Sequence, residues 1–424
     1  MQTAQIPLGY KLTEVGIIPS DWDLKQVGEI AQTTAGGTPS TLIKEYWGGD
    51  IKWMSSGELN LKQVYDVEGR ITELGFNNSS TKILPAKSIL IGLAGQGKTR
   101  GTVAINLVEL CTNQSIAAIL PSKFLVPEYL YHNLDNRYNE LRNLSSGEGG
   151  RGGLNLKIIK SLLIALPPIE EQKRIAQVLS DIEKLIRSLD ELIIKKSNIK
   201  QGTMQLLLTG KQRLPGYSGE WEVKTFDDCF KFLTTGSNAR SDLSESGEVK
   251  YIHYGDIHAK KLPILDCAKD FIPGIARNKV KNLPLLEDGD LIIADASEDY
   301  QGLGKSIEIK NVNNCEIVAG LHTLLLRADK LVLADGFKAY ITSIESVKNA
   351  LIKIATGISV FGISKKAIKS IQLFLPPLEE QKAIARILSD MDEEIEVLEQ
   401  KRNKYQDIKK GMMQELLTGK TRLV

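Results

Sequence analysis

A glycine-rich segment of this chain matches the spacing of a phosphate-binding loop. Residues 92–99 read Gly-Leu-Ala-Gly-Gln-Gly-Lys-Thr, which fits the P-loop pattern of two glycines, with four residues between them, followed by lysine and threonine. Asp295, at the end of the apolar run 291–294, resembles the acidic residue that holds magnesium in such enzymes. A nucleotide-binding enzyme is therefore one hypothesis for this chain.

The residues that follow this segment favour a different interpretation. A P-loop opens a helix whose N-terminal amides face the phosphates, whereas residues 100–105, Arg-Gly-Thr-Val-Ala-Ile, indicate a turn and a strand. The apolar runs before Gly92 and Asp295 also fall at matching places in the two halves of the chain, as one strand occurring twice would. We favour a loop between strands that offers Gln96, Lys98 and Arg100 to a phosphate backbone or a base edge.

Other residue types that support catalysis or metal binding form no recognisable constellation. The four cysteines are far apart and form no C-x-x-C pair, as expected of free thiols in a reducing compartment. His253 and His258 are five residues apart, which is not the spacing of metal ligands on a helix. Residues 166–169, Leu-Pro-Pro-Ile, partly match a methyltransferase motif but lack its amide or acid and its aromatic ring, and a helix start accounts for the prolines. We therefore expect neither a metal nor a catalytic centre.

Length and composition bound the class of protein. The 424 residues are enough for two domains, and 42% hydrophobic with 25% charged residues is typical of a globular chain. The net charge is only +2, so the composition alone does not indicate a nucleic-acid partner. No apolar run reaches the ~18–20 residues that a membrane span needs, and the first seven residues lack the features of a signal peptide. We expect a cytoplasmic protein with no membrane association.

A long segment of the chain occurs twice. Residues 166–173, Leu-Pro-Pro-Ile-Glu-Glu-Gln-Lys, return as residues 375–382 with an offset of 209, and 27 of the 49 aligned pairs between 166–214 and 375–423 are identical. Each copy lacks internal proline and predicts a helix of about 39 residues that begins after Pro-Pro and ends near Thr-Gly-Lys, with glycine closing the C-terminus. Such a repeat predicts a molecule with internal pseudo-twofold symmetry.

Each predicted helix carries a narrow apolar seam. The seam residues are three and four positions apart, as in a coiled coil, and they are Ile175, Leu179, Ile182, Ile186, Leu189 and Ile193 in the first copy and Ile384, Leu388, Met391, Ile395 and Leu398 in the second. A long helix with a narrow seam needs a partner, so we expect the two copies to form an antiparallel coiled coil. The alternative is two separate helices, each packed on its own domain.

The segments between the helices predict two mixed α/β (α+β) domains. Short β-rich runs alternate with turns, and residues 126–144 and 335–354 show helical patterns. The two segments open and close alike, but their interiors differ. We place the first domain at 1–165, the central helix at 166–214, the second domain at 215–374 and the C-terminal helix at 375–424.

These features together resemble the specificity subunit of Type I restriction–modification systems. The resemblance rests on the repeated Leu-Pro-Pro-Ile/Leu-Glu-Glu-Gln-Lys, on the Leu-Leu-Thr-Gly-Lys helix ends, and on residues 35–40, Ala-Gly-Gly-Thr-Pro-Ser, with Tyr46, Trp47 and Trp53. It covers nearly the whole chain. The second half carries Thr234-Thr235-Gly236-Ser237-Asn238 at the comparable place, without the proline.

The resemblance implies a function in DNA recognition without catalysis. Each domain would be a target recognition domain that reads half of a split double-stranded DNA site, and the helix pair would set the spacing and dock two modification (methyltransferase) subunits, with restriction subunits joining that core. It implies no cofactor in this chain, since S-adenosylmethionine, ATP and magnesium would bind to the partner subunits. The candidate DNA-contacting residues are Lys52, Ser55, Gln96, Lys98, Arg100 and Arg151 in the first domain and Arg240, His253, Lys260, Tyr300, Gln301 and Lys305 in the second. A coiled-coil scaffold without a role on nucleic acid remains a further alternative.

Overall fold

The computed structural model describes residues 6–95, 97, 99–144, 153–300, 302–313 and 315–424. The chain divides into two compact units, and each contains one globular domain together with parts of both long helices. The first unit is Met1–Asp190 with Lys401–Val424, and the second unit is Glu191–Gln400. The domains assigned from the sequence are continuous segments that leave each long helix whole. The two units of the structure instead divide each long helix between them.

The described part of the first unit is built from short strands and helices that precede the first long helix. Its strands are β1 Tyr10–Thr13, β2 Gly16–Pro19, β3 Asp23–Gln26, β4 Thr33–Ala35, β5 Trp47–Met54, β6 Gln63–Val64, β7 Arg70–Ile71, β8 Ile89–Gly92, β9 Val103–Asn106, β10 Cys111–Thr112, β11 Ile116–Ile119 and β12 Leu163–Leu166. Its helices are α1 Val27–Ile30, α2 Glu73–Asn77, α3 Pro127–Asp135, α4 Tyr138–Asn143, α5 Leu156–Ser161 and the start of α6 Ile169–Leu207.

The second unit has the same kind of elements. Its strands are β13 Glu222–Thr225, β14 Phe230–Leu233, β15 Val249–Ile252, β16 Ile264–Asp266, β17 Gly274–Ile275, β18 Leu291–Ala294, β19 Ala296–Ser297, β20 Ser306–Lys310, β21 Ile317–Ala319, β22 Thr323–Ala328, β23 Phe361–Gly362 and β24 Gln372–Leu375. Its helices are α7 Phe226–Cys229, α8 Tyr254–Ala259, α9 Glu345–Ile354, α10 Lys365–Lys369 and the start of α11 Leu378–Leu416.

The two domains share one sheet topology. The five-stranded sheets run β4-β11-β8-β9-β6 and β14-β22-β18-β20-β16, and in both the last pair is parallel while the other pairs are antiparallel. A three-stranded sheet accompanies each, β10-β5-β7 in the first domain and β17-β15-β21 in the second. β8 and β18 hold the same central place, and all four residues of each are buried. This confirms the fold class of two mixed α/β domains with long helices.

Both long helices span 39 residues, as the sequence predicted. Each begins directly after the Pro-Pro pair, and the glycine that follows each end, Gly210 or Gly419, adopts a positive φ of 68° or 70°. The expected helix over residues 335–354 is instead a 3₁₀ turn, Lys338–Ser343, followed by α9, and the expected helix over 126–144 is divided into α3 and α4.

Within each unit, segments of α6 and α11 run antiparallel. In the first unit Lys409 pairs with Glu183 at 2.9 Å and Arg402 pairs with Asp190 at 3.3 Å, so the residue numbers fall along one helix as they rise along the other. The second unit repeats this pattern with pairs between Lys196 and Glu394 and between Lys200 and Asp392.

The apolar seam is buried most deeply where the helices meet the domains. Its buried residues are Ile175, Leu179, Ile182 and Leu189 in the first unit and Ile193, Ile384 and Leu388 in the second. Its half-buried residues are Ile186 in the first unit and Met391, Ile395 and Leu398 in the second. Truncating Ile186 or Ile395 is therefore expected to cost less than the ~2–5 kcal/mol of a fully buried isoleucine.

Candidate nucleic-acid interface

The glycine-rich segment of the first domain connects two antiparallel strands. Gly92 ends β8, and β9 follows at Val103 and pairs with β8 along its length. The amide of Gly101 donates to the carbonyl oxygen of Gly92 at 2.9 Å, and the amide of Gly92 donates to that of Thr102 at 3.0 Å. This hairpin confirms the turn and strand expected from the sequence, and its described residues form no helix of the kind that a P-loop requires. Arg100 is half-buried; Gln96, Lys98 and Arg151 lie outside the described residues.

Tryptophan side chains hold the Gly-Gly-Thr-Pro-Ser loop of the first domain. The indole nitrogen of Trp53 donates to the carbonyl oxygen of Gly37 at 2.9 Å, and that of Trp47 donates to Ser40 at 3.1 Å. The two rings meet edge to face with centroids 5.0 Å apart. The loop is therefore fixed to β5, which also carries one candidate DNA contact, Lys52.

The two candidates near the end of β5 already have partners within the domain. Lys52 is paired with Asp66 at 3.1 Å, in a partly exposed ion pair. The hydroxyl of Ser55 donates to Glu58 at 3.0 Å and belongs to a capping box at the start of a 3₁₀ turn. Ser55 thus has a local structural role, while the exposed Lys52–Asp66 pair can exchange its partner at little cost.

The comparable loop of the second domain is held by a different side chain. The hydroxyl of Tyr251 on β15 accepts from the amides of Asn238 at 3.0 Å and Leu321 at 2.9 Å. Tyr251 is fully buried, and burial raises the pKa of its phenol. The two domains thus share one sheet arrangement but hold two different loops on it.

The candidates of the second domain differ in their exposure. Arg240 is exposed and paired with Asp256, and the exposed ring of Tyr300 stacks on Phe361 with centroids 4.0 Å apart. His253 is buried and its Nδ1 accepts from the amide of Gly255 at 3.2 Å, so it caps α8; burial lowers the pKa of its imidazole. Its side chain is thus engaged within the domain. Gln301 lies outside the described residues.

Two lysine candidates line cavities of the second unit. The Nζ of Lys260 donates to both carboxylate oxygens of Asp270 at 2.6 Å and borders a cavity of about 370 Å³. Lys305 donates to the carbonyl oxygen of His258 at 2.8 Å and borders a larger cavity of about 1010 Å³. Burial lowers the pKa of Lys305. Lys305 and Arg240 both contact α8, through the carbonyl oxygen of His258 and the carboxylate of Asp256, and Lys260 follows the end of that helix.

The described residues contain no group of three or more histidine, cysteine or acidic residues that could hold a metal ion. Cys111 and Cys229 are buried free thiols, Cys267 is half-buried and Cys315 is exposed. Among the same residues, no helix combines the length and the apolar character that crossing a bilayer demands.

A charged clasp, which the sequence interpretation missed, closes the first unit. We define the first clasp as Asp21, Trp22, Glu171 and Arg422. Arg422 donates to Glu171 at 2.7 and 2.8 Å and to Asp21 at 2.9 and 2.7 Å, and it lies over the ring of Trp22. The indole nitrogen of Trp22 donates to Glu171 at 3.0 Å. The clasp fixes the end of the chain to the start of α6.

The second unit has an equivalent but less complete clasp, which we define as Arg213, Trp221 and Glu380. Arg213 donates to both oxygens of Glu380 at 2.6 Å and lies over the ring of Trp221. Here the indole nitrogen of Trp221 is buried without a hydrogen-bond partner among the described residues. Arg213 and Glu380 correspond to Arg422 and Glu171 at the offset of 209.

A tyrosine, a carboxylate and a lysine join each domain to both helices. In the first unit the hydroxyl of Tyr131 donates to Glu183 at 3.1 Å, and Lys409 donates to the same carboxylate at 2.9 Å. In the second unit Tyr340 donates to Asp392 at 2.8 Å, and Lys200 pairs with that aspartate. We call these the tyrosine triads. Their members are related by the offset of 209, so searching the repeat for matched polar pairs could have identified them.

Comparison with known proteins shows what the chain is similar to. Residues 19–196 and 218–406 match the model of the Type I restriction modification DNA specificity domain. The chain is 31% identical over 327 residues to the Type I restriction enzyme MjaIX specificity subunit of Methanocaldococcus jannaschii, covering 72% of this chain and 71% of that one. It is 26% identical over 441 residues to the putative MjaX specificity subunit of the same organism, covering 98% and 97%.

A solved structure supports the same fold. The crystal structure of the Type I restriction–modification S subunit from M. genitalium matches with a TM-score of 0.61 at 16% identity, covering 96% of this chain and 97% of that one. At this identity the match concerns the fold alone.

Proposed function

Since the chain belongs to the Type I restriction–modification DNA specificity family, we propose that each of its two domains reads one half of a split double-stranded DNA target. The observation that carries this proposal is the shared frame with different loops. The two five-stranded sheets have the same strand order, but the loop fixed by Trp47 and Trp53 in the first domain is replaced in the second by one fixed by Tyr251. We therefore expect two unlike half-sites.

The chemistry of the restriction–modification reaction belongs to other subunits in this proposal. The chain is the non-catalytic recognition subunit of its complex. We propose that S-adenosylmethionine, ATP and magnesium bind only to the modification and restriction subunits. The hairpin between β8 and β9 supports this division, because the sequence that resembles a P-loop opens a strand there.

Contacts to the DNA backbone and to base edges have different roles in this proposal. Lysine and arginine side chains on phosphates position the protein, while side chains in the grooves read the sequence. We assign Lys98 and Arg100, which follow a glycine turn at the end of β8, to phosphate contacts. The exposed Arg240 is a candidate for a contact in the second half-site, because exchanging the partner of an exposed ion pair costs little. The exposed ring of Tyr300, which stacks on Phe361, is a second candidate.

The helix pair supplies the spacing and the assembly surface. Each helix of 39 residues is about 58 Å long at ~1.5 Å per residue, a length that suits a spacer between two half-sites. We propose that the pair docks two modification subunits and that restriction subunits join this core.

The proposal is tested by expressing the chain together with its modification subunit in a host that lacks DNA methylation. Sequencing of the modified bases should show one motif with two specific parts and an unspecific spacer, present only when this chain is expressed. A motif that forms without this chain, or a motif with one continuous part, would contradict the proposal.

A further inference from the structure

The two domains carry one short turn at the same place in their folds. It leaves the three-stranded sheet at the end of β10 or β21 and enters the five-stranded sheet at β11 or β22. We call these the crossover turns and define them as residues 113–115 in the first domain and 320–322 in the second. Their sequences, Asn-Gln-Ser and Gly-Leu-His, have no residue in common.

The backbones of the two crossover turns are held in the same way. The first amide of each turn donates to the residue at the end of β5 or β15, and the last carbonyl oxygen accepts from the residue that follows β8 or β18. The four bonds join Asn113 to Met54 at 3.0 Å, Leu93 to Ser115 at 2.8 Å, Gly320 to Ile252 at 2.9 Å and Asp295 to His322 at 3.1 Å. Ser115 and His322 therefore occupy equivalent positions.

In the first domain the crossover turn presents the side chain of Gln114. This side chain is exposed, and its oxygen accepts a hydrogen bond from the hydroxyl of Thr38. Thr38 belongs to the loop that Trp47 and Trp53 hold, so the carboxamide is attached to a loop that is itself fixed. A carboxamide has two N–H donors and a second lone pair in addition to the one used here. Gln114 can therefore bind a further group without giving up this partner.

In the second domain the crossover turn presents the side chain of His322. The side chain is 52% exposed, and the backbone φ is 54°. A positive φ is uncommon for a residue other than glycine, and residues held in this region cluster at functional sites. The exposed residue of the turn is thus also the strained one.

Two neighbours orient the imidazole of His322. Its Nδ1 lies 3.3 Å from Oδ1 of Asp295, and its ring meets the ring of Tyr254 edge to face with centroids 5.4 Å apart. An ionised carboxylate can only accept, so Nδ1 carries the proton and Nε2 is the nitrogen that can meet a ligand. The imidazole is thus oriented before any ligand binds.

Both crossover turns are joined to elements that carry candidate DNA contacts. The first turn is bonded to Leu93, which opens the segment that carries Lys98 and Arg100. The second turn contacts α8 through Tyr254, and the same helix pairs with the exposed Arg240. Cationic side chains of this kind position a protein on the phosphate backbone, while side chains beside them read the bases.

From these observations we propose that the crossover turns read base pairs, with Gln114 reading one pair of the first half-site and His322 reading one pair of the second. The inference rests on the proposed function. Gln114 offers a donor and an acceptor side by side, as adenine does at N6 and N7 in the major groove, so its base pair is A·T. His322 meets its base pair through Nε2. Thr38 and Asp295 are positioning residues, because they act through these two side chains.

One substitution in each crossover turn tests base reading while the backbone conformation is kept. Gln114→Glu keeps the length of the side chain but removes its N–H donors, so the preference for A·T should be lost. His322→Asn removes the imidazole but keeps a residue type that tolerates a positive φ. Each variant should make one base pair of one half-site degenerate and leave the rest of the motif unchanged. For the bidentate contact of Gln114 the lost discrimination should be about 5- to 150-fold, and for the single contact of His322 it should be smaller.

The positioning residues and a matched control separate base reading from folding. Thr38→Val and Asp295→Asn should weaken discrimination at the same base pairs as Gln114→Glu and His322→Asn, by a smaller factor. A purely structural role would instead change the affinity for all sequences alike. The control is Gln372→Ala, which removes an exposed carboxamide from β24 and should leave the motif unchanged.

Mapping of modified bases and a binding titration give the readout. Each variant is expressed with the modification subunit for the mapping, and the assembled methyltransferase is then titrated with duplexes that differ only at the affected base pair. The ratio of affinities for the cognate and the altered duplex should fall toward one.

Three results would overturn the assignment. An unchanged motif in either variant would overturn it for that turn, and a G·C pair at the position that Gln114→Glu relaxes would overturn the contact with adenine. An equal loss of affinity for every duplex would assign the side chain to the DNA backbone or to folding. If the unchanged chain and its modification subunit produce no methylated motif, the proposed function itself fails.

Discussion

Replacing Arg422 by methionine should open the first clasp while keeping most of the apolar stem over Trp22. The substitution removes four hydrogen bonds, two to Glu171 and two to Asp21. The carboxylate of Asp21 is more than half exposed, so its share of the loss is ~0–1 kcal/mol. Glu171 is 3% exposed, and a buried carboxylate that loses its cation costs ~3–5 kcal/mol in the limiting case.

The remaining hydrogen-bond partners of Glu171 make the expected loss of stability smaller than this limiting cost. The indole nitrogen of Trp22 at 3.0 Å and the amide of Leu423 at 3.3 Å still donate to it, and Arg422 itself is 24% exposed. We therefore expect Arg422→Met to lower the free energy of unfolding of the first unit by ~2–3 kcal/mol. Urea unfolding of the full chain, followed by tryptophan fluorescence, measures this change.

A second substitution tests the cause of that loss. If the cost comes from an uncompensated buried charge, adding Glu171→Gln to Arg422→Met should restore part of the lost stability, since a neutral amide is less costly to bury. A loss below about 0.5 kcal/mol for Arg422→Met, or a further loss of ~1 kcal/mol or more on adding Glu171→Gln, would refute this reasoning.

Three further predictions concern single side chains. Tyr340→Phe should lower the free energy of unfolding by ~1–2 kcal/mol, because it removes the hydrogen bond to Asp392. Tyr131→Phe should cost less, because the hydrogen bond of Tyr131 to the more exposed Glu183 is longer. Equal losses in urea unfolding would contradict this order. Burial lowers the pKa of His132 to about 4, so the unfolded chain takes up this proton from about pH 6.5 downward while the folded chain resists until about pH 4. The free energy of unfolding should therefore fall as the pH is lowered from 6.5 to 4, and His132→Gln should make this fall smaller. If the fall is the same in the variant, His132 is not its cause. Lys98→Ala should weaken binding of the assembled methyltransferase to cognate and non-cognate DNA alike and reduce the salt slope by about 1, without any ATP binding before or after the change; measurable ATP binding lost on substitution would favour the P-loop hypothesis.

The helices could be predicted closely because local signals determine them. Pro-Pro at the start, the absence of internal proline and the glycine near the end fix a 39-residue helix in both copies. The hairpin after Gly92 also followed from local patterns. The split of the expected helix at 335–354 did not, because the 3₁₀ turn packs Lys338 and Tyr340 into the second unit, and that packing depends on the fold as a whole.

The contacts that join distant parts of the chain could not be read from local sequence. Arg422 meets Asp21 across 401 residues, and nothing near either residue indicates the other. The tyrosine triads were more accessible, since their members repeat at the same offset as the helices. The DNA contacts are the hardest to predict, because base readout depends on where loops place side chains; the candidate His253, for example, also caps α8.

Exchanging one domain tests whether each domain reads its own half-site. Residues 22–152 would be replaced by the corresponding segment of a family member with a known target, and the methylated motif would be mapped in cells that express the hybrid with the modification subunit. One half of the motif should change to that of the donor, while the other half and the spacer length should stay as they were. A motif in which both halves change, or neither does, would contradict the claim that each domain reads its own half-site.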